Sequence, residues 1–129
     1  MPTPRFKLCL LIDDNFIDNF VTRKILETSN FAEQIIVIQS APEAIAQIQA
    51  KKIQPDVIFL DIRMPFMDGF EFLKEFDSMH LDDDKQIKIF MLSSSLDPVD
   101  FRLSKENKYI TQFIHKPLTH KALEAISNT

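Results

Sequence analysis

The chain has 129 residues, the usual size of one folded domain, and 45% of them are hydrophobic while 26% are charged. This balance argues against a disordered chain. The net charge of −4 argues against binding to nucleic acid or to a membrane surface, since both require a basic protein surface. Gly69 is the only glycine, which argues against a dinucleotide or P-loop site. Such sites need several glycines so that the backbone can approach phosphates.

The single cysteine, Cys9, lies in an apolar run, so neither an intramolecular disulfide nor a cysteine metal cluster can form. We expect Cys9 to be a small core residue. The N-terminus lacks the apolar region of a signal peptide, and the apolar runs of roughly 5–6 residues are far shorter than a membrane span. These features predict a cytoplasmic protein with a single domain over residues 1–129 and no separate output domain.

Short apolar runs predict five strands, each followed by a helical pattern. The predicted strands are Phe6–Ile12, Gln34–Gln39, Val57–Leu60, Ile87–Leu92 and a segment within Tyr109–His115. The predicted helices cover about Phe16–Thr28, Ser40–Lys51, Phe70–Ser78, Pro98–Asn107 and a last segment capped by Thr119. The connection His80–Gln86 contains the acidic run Asp82–Asp84, which we interpret as a solvated loop. Strands that alternate with helices predict an α/β fold of the (βα)5 type, with helices on both faces of a parallel sheet.

Polar side chains follow four of the predicted strands at the point where each strand ends. Asp13 and Asp14 follow the first strand, Asp61 the third and Ser93–Ser95 the fourth, while Lys116 ends the fifth. Because the carboxyl ends of parallel strands lie at one edge of a sheet, where such sheets bind ligands, we expect these side chains to lie close together.

Three neighbouring carboxylates repel one another, and a hard divalent cation is the usual compensation. Such a cation also neutralises charge on a transferring phosphoryl group, and a carboxylate can attack phosphorus to form an aspartyl phosphate. Asp61 ends the central strand and is the best candidate nucleophile. Lys116 would then pair with the added phosphate, and a serine hydroxyl would hydrogen-bond to it.

Each of these residues has a simpler interpretation when it is taken alone. A strand-end aspartate is commonly a helix cap or a turn residue. Lys116 alone would be a solvated surface lysine, and Ser93–Ser95 alone would be a loop. The specificity of the pattern lies in the combination, at the right strand ends and in the right order.

Four segments of the chain also match a known family. They are Leu11–Asp14 (LIDD), Phe59–Gly69 (FLDIRMPFMDG), Met91–Ser94 (MLSS) and Phe113–Pro117 (FIHKP). On these residues the chain resembles response-regulator receiver domains, the CheY-like family with the flavodoxin-like fold, over essentially its whole length. The resemblance implies a doubly wound five-stranded parallel sheet with strand order 2-1-3-4-5.

The resemblance implies that Asp61 accepts a phosphoryl group from a histidine kinase or a histidine phosphotransfer protein. Asp14 and Asp61 would bind Mg²⁺ directly and Asp13 through water, while the backbone carbonyl of Arg63 would complete the protein ligands. Mn²⁺ would be a substitute metal. Arg63 and Ser95 also lie at positions that tune how water reaches the phosphate in the family.

The family also assigns roles to the ends of the fourth and fifth strands. Ser93 would turn towards the phosphoryl group, with Ser94 as an open alternative, and Lys116 would pair with that group across a cis bond to Pro117. Phe113 would take the aromatic switch position and move inward with Ser93.

The leading interpretation is a stand-alone receiver that signals to a downstream effector protein through the fourth helix, fifth strand and fifth helix. It would not be an enzyme beyond self-catalysed phosphorylation and dephosphorylation, and it would not bind nucleic acid or membranes directly. A receiver-like scaffold that binds partners without phosphorylation stays open, and absence of Mg²⁺ binding would favour it. A phosphatase of the haloacid-dehalogenase type also uses a strand-end aspartate, but that family has a second aspartate where this chain has Arg63.

Overall fold

In the computed structural model, which describes residues 4–79 and 86–127, five strands alternate with five helices. The strands are β1 (Phe6–Ile12), β2 (Ala32–Ile38), β3 (Val57–Leu60), β4 (Lys88–Ser93) and β5 (Ile110–His115). The helices are α1 (Phe16–Thr28), α2 (Ala41–Gln49), α3 (Gly69–Ser78), α4 (Pro98–Glu106) and α5 (His120–Ser127). The sheet is parallel with the order β2-β1-β3-β4-β5, which confirms the predicted fold. The predicted acidic loop Asp82–Asp84 lies outside the described residues.

Two of the predicted strands have different boundaries in the structure, β2 and β4. Strand β2 begins at Ala32 rather than Gln34, because Ala32 pairs with Phe6 of β1. Strand β4 extends to Ser93, which pairs with His115 of β5. The ladder therefore places Ser93 at the carboxyl end of a strand instead of in the following loop.

The sheet separates two apolar layers. One layer joins alternate strand residues such as Ile58 and Leu60 to Phe72 and Phe76 of α3 and to residues of α2. The other joins Phe59 and its neighbours to residues of α1 and α5. Burial on both faces explains why the central strands are continuously apolar. Cys9 is fully buried in the second layer, as predicted, and burial raises the pKa of its thiol.

Helix α1 packs on the sheet with a face that its apolar spacing does not indicate. Its buried residues are Asn19, Thr22 and Leu26. Four apolar side chains at the spacing that predicted the helix are instead exposed, namely Phe16, Ile17, Phe20 and Val21. The periodicity thus predicted the helix correctly but did not indicate its buried face, on which the side-chain amide of Asn19 donates a hydrogen bond to the backbone carbonyl of Asp13.

Side-chain caps fix where the helices begin. Asn15 caps α1, Ser40 caps α2 and Asp97 caps α4, and each side chain accepts a hydrogen bond from a backbone N–H of the first turn. Asp68 caps α3 in a reciprocal arrangement with Glu71. Within residues 4–79 and 86–127, no helix is both long and apolar enough to span a membrane.

Candidate functional site

The carboxyl edge of the sheet surrounds one ammonium group with three carboxylates. Lys116 Nζ lies 2.6 Å from Asp13 Oδ2, 2.8 Å from Asp18 Oδ2 and 3.4 Å from Asp61 Oδ2. The side chains of Lys116 and Asp61 are each 9% exposed, and that of Asp13 is 2% exposed. The strand ends therefore bring Asp13, Asp61 and Lys116 together, and helix α1 adds Asp18.

Backbone N–H groups orient the two buried carboxylates. Asp61 Oδ1 accepts a hydrogen bond from the backbone of Ile62 at 2.8 Å, and Asp13 Oδ1 accepts one from Asn15 at 2.9 Å. The other oxygen of each carboxylate faces Lys116. The bond between Lys116 and Pro117 is cis, as the family resemblance implied.

Carboxylate oxygens of Asp13, Asp14 and Asp61 lie within 4.8 Å of one another. Together with one ammonium they leave an excess of negative charge, and Asp14 is exposed to solvent. A hard divalent cation such as Mg²⁺ takes a few carboxylate oxygens and keeps several water ligands. The donor atoms, their charge and the exposure of Asp14 therefore fit Mg²⁺.

Burial governs the acid–base properties of this cluster. Desolvation, followed by the negative charge of Asp13, raises the pKa of Asp61 to about 6, although Lys116 and the N–H of Ile62 oppose the rise. Burial lowers the pKa of Lys116, but its hydrogen bonds with Asp13 and Asp18 outweigh this effect and hold that pKa above its ordinary value. At neutral pH the site thus contains a charged lysine and a mostly ionised Asp61.

The serines after β4 differ in their surroundings. Ser93 is buried, and its Oγ accepts a hydrogen bond from the backbone N–H of Ser95 at 3.1 Å. Ser94 is exposed and lines a cavity beside Lys116 and Asp18. The backbone N–H of Lys116 donates to Ser93 O at 3.0 Å, which holds the ends of β4 and β5 together.

Phe113 lies half-buried on β5, between an aromatic ring of α4 and a histidine of its own strand. Its ring packs edge-on against Phe101, with centroids 5.7 Å apart, and against His115, with centroids 5.1 Å apart. A change in the position of α4 would therefore change the environment of Phe113.

Two acidic residues of this region were missed by the sequence analysis. Asp18 contacts Lys116, and Asp100 of α4 contacts the side chain of Arg63. Asp18 follows the acidic pair by one helical turn, a signal that could have placed it near the site. Nothing in the sequence pairs Asp100 with Arg63, because the two residues are 37 positions apart.

The fold is a doubly wound α/β fold, and the carboxylate cluster lies at the carboxyl edge of its sheet, where sheets of this kind bind ligands. The model of the response regulator receiver domain matches residues 9–128, so the chain belongs to this family. Receiver domains are signalling domains of two-component systems. They bind Mg²⁺ at an acidic pocket and act with histidine kinases and effectors.

Individual relatives agree with this membership. The response regulator from Cytophaga hutchinsonii is 31% identical, covers 95% of each chain and superposes with a TM-score of 0.85. The structure of the phosphorylated cyanobacterial phytochrome response regulator RcpA is 25% identical, covers 95% of this chain and 89% of its own, and has a TM-score of 0.75. A protein-glutamate methylesterase/protein-glutamine glutaminase of Trichodesmium erythraeum is 31% identical over 95% of this chain, which spans only 34% of that relative.

Proposed function

We propose that Asp61 accepts a phosphoryl group from a histidine kinase or a histidine phosphotransfer protein in a Mg²⁺-dependent reaction. The phosphorylated domain then signals by contact with an effector protein. The observation that carries this proposal is the cluster of carboxylates formed by Asp13, Asp14 and Asp61, two of which, Asp13 and Asp61, also contact the ammonium group of Lys116.

In the transfer step, a carboxylate oxygen of Asp61 attacks phosphorus and forms an O–P bond. The N–P bond of the donor phosphohistidine breaks, and its electron pair stays on the imidazole nitrogen, which is protonated from solvent. The pKa of about 6 leaves Asp61 mostly ionised at neutral pH, as nucleophilic attack requires. Lys116 lies 3.4 Å from Asp61 Oδ2, within reach of the oxygens of an added phosphate.

Asp14 and Asp61 are proposed as direct Mg²⁺ ligands, with Asp13 binding through water and the backbone carbonyl of Arg63 completing the protein ligands. Mg²⁺, when bound, neutralises negative charge on the transferring phosphoryl group. Mn²⁺ is expected to substitute, since carboxylate, carbonyl and water oxygens suit both ions.

The signal is proposed to leave the site through Ser93 and Phe113. The Ser93 hydroxyl would turn to the phosphoryl group and leave the N–H of Ser95, and Phe113 would then move inward. The effector surface would be formed by α4, β5 and α5. Exposed apolar side chains on and before α4, which are typical of protein contact sites, support this surface: Leu96, Val99, Phe101 and Leu103.

The direct test is phosphorylation by acetyl phosphate with Mg²⁺, in which acetate replaces the histidine as the leaving group. Asp61→Asn should abolish labelling while the circular dichroism spectrum stays unchanged. Asp97→Asn is the matched control, because Asp97 is an exposed helix cap and asparagine caps equally well. Labelling of Asp61→Asn at the wild-type level would contradict the proposal.

A further inference from the structure

The side chain of Arg63 contacts helix α4. Arg63 Nη2 lies 2.6 Å from Asp100 Oδ2, whose side chain is only 6% exposed. The same Asp100 oxygen accepts a hydrogen bond from Ser95 Oγ at 2.6 Å. Since the N–H of Ser95 donates to Ser93 Oγ, a continuous series of contacts joins Arg63 to the hydroxyl of Ser93.

Arg63 has a second acidic neighbour, which provides an internal comparison. Asp97 Oδ2 lies 3.9 Å from the same guanidinium nitrogen, and the Asp97 side chain is 48% exposed. Exposed ion pairs at such distances contribute little to stability. A buried carboxylate, by contrast, is costly without its cation, so Asp100 is the partner that holds Arg63.

We propose that Asp100 is a positioning residue that competes with phosphorylated Asp61 for Arg63. By holding Arg63 and Ser95 together, it keeps the β4–α4 loop, residues 94–97, in the unphosphorylated arrangement. This inference rests on the proposed phosphorylation of Asp61 and goes beyond it by naming what opposes the switch.

The competition follows from charge and reach. A phosphoryl group on Asp61 places a strong anion two residues before Arg63, and a guanidinium group binds phosphate oxygens in bidentate geometry. Movement of Arg63 to that anion would leave the Asp100 carboxylate buried without its cation. The turn of Ser93 towards the phosphoryl group would break its contact with Ser95 at the same time. Both changes release the first turn of α4.

Competition of this kind is reciprocal. If phosphorylation weakens the contact between Arg63 and Asp100, then loss of that contact must strengthen binding of a phosphoryl group by the same factor. Removing the charge of Asp100 should therefore favour the phosphorylated arrangement before any phosphate is added.

The first experiment titrates beryllofluoride with Mg²⁺, a mimic of the phosphoryl group, onto the full chain. Asp100→Asn keeps an acceptor for Ser95 and should bind beryllofluoride on the order of tenfold more tightly than wild type. Asp97→Asn makes the same charge change beside the same guanidinium and should change the affinity less than twofold. Equal gains in both variants would reflect net charge alone and would overturn the inference.

The second experiment asks whether the effect passes through Arg63. In an Arg63→Ala background, Asp100→Asn should no longer tighten binding, and a persisting gain would overturn the inference.

The backbone amide resonances of Ser93 and Ser95 provide a readout that a merely structural role would not move. In ligand-free Asp100→Asn these resonances should shift towards their positions in wild type bound to beryllofluoride. Arg63→Ala, which substitutes no residue of α4, should shift them in the same direction, and unshifted resonances in both variants would overturn the inference.

These outcomes distinguish failure of the proposed phosphorylation of Asp61 from failure of the proposed role of Asp100. A wild-type chain that binds no beryllofluoride with Mg²⁺ would overturn the proposed function and this inference with it. A wild-type chain that binds the mimic, together with an Asp100→Asn variant that gains no affinity, would overturn the role of Asp100 alone.

Discussion

Lys116 Nζ lies closer to Asp18 Oδ2, at 2.8 Å, than to Asp61 Oδ2, at 3.4 Å. Asp18 belongs to the first turn of α1, where its backbone N–H donates to the capping side chain of Asn15. The cap therefore places a carboxylate that shares the ammonium group with Asp61. Helix α1 thereby influences the electrostatics of the proposed acceptor without belonging to the strand ends.

Asp18→Asn should lower the pKa of Asp61. Without the Asp18 carboxylate, Lys116 can approach Asp61 more closely and stabilise its ionised form, so the value of about 6 should fall by roughly one unit. Carboxyl carbon resonances, followed against pH in a chelator, measure this change. Glu27→Gln on the same helix is the control, since Glu27 is exposed and pairs with Arg23. An unchanged Asp61 titration in Asp18→Asn would contradict the sharing of Lys116.

Asp61→Asn should stabilise the metal-free fold at neutral pH. The pKa of Asp61 is raised from 3.8 to about 6, so the folded chain binds this proton more tightly than the unfolded chain. The resulting stability is fully present below about pH 4 and is lost as pH rises through about 6. Replacing the carboxylate should therefore raise the free energy of unfolding by about 2 kcal/mol at pH 7 and by nearly nothing at pH 4. Urea unfolding in EDTA at both pH values tests this, and an equal gain at both would refute the assignment.

Mg²⁺ should stabilise the fold through the carboxylate cluster. A ligand that binds only the folded chain adds about 2.7 kcal/mol at a hundred times its dissociation constant. Asp14→Asn removes an exposed donor and should weaken this effect, as judged by thermal unfolding at increasing Mg²⁺ concentrations. Glu33→Gln on the exposed side of β2 should respond to Mg²⁺ like wild type. Identical Mg²⁺ responses in wild type and Asp14→Asn would argue against Asp14 as a ligand.

Gly69→Ala should disturb the proposed acceptor from the start of α3. A Cβ at this position would lie 2.5 Å from Asp61 O and 3.1 Å from Ile62 Cα, both of which are backbone atoms. Relief of this clash requires backbone movement and should cost about 1–3 kcal/mol. Chemical unfolding measures the loss, and acetyl phosphate labelling should slow. Lys74→Ala at an exposed position of the same helix should change stability by less than about 0.5 kcal/mol.

The order of elements and the strand-end residues of the site could be predicted from the sequence alone. Apolar runs and helix caps such as Ser40 and Asp97 are local signals, and parallel pairing then places Asp13, Asp61 and Lys116 at one edge whatever the details of packing. The family motifs agree with the same placement.

The side-chain partners and the buried face of α1 could be read only from the folded chain. Periodicity could not show that Phe16 and Phe20 are exposed while Asn19 is buried, because burial depends on what lies opposite the helix. Nor could it show that Arg63 contacts Asp100, since the two residues are distant in sequence and only the packing of α4 against the loop after β3 brings them together. Strand ends depend on backbone pairing, which follows a local pattern, whereas ion pairs depend on where long side chains meet in space. Local sequence patterns are therefore enough to place Asp13, Asp61 and Lys116 at the sheet edge, whereas the carboxylates that contact Lys116 and Arg63 depend on the packing of α1 and α4.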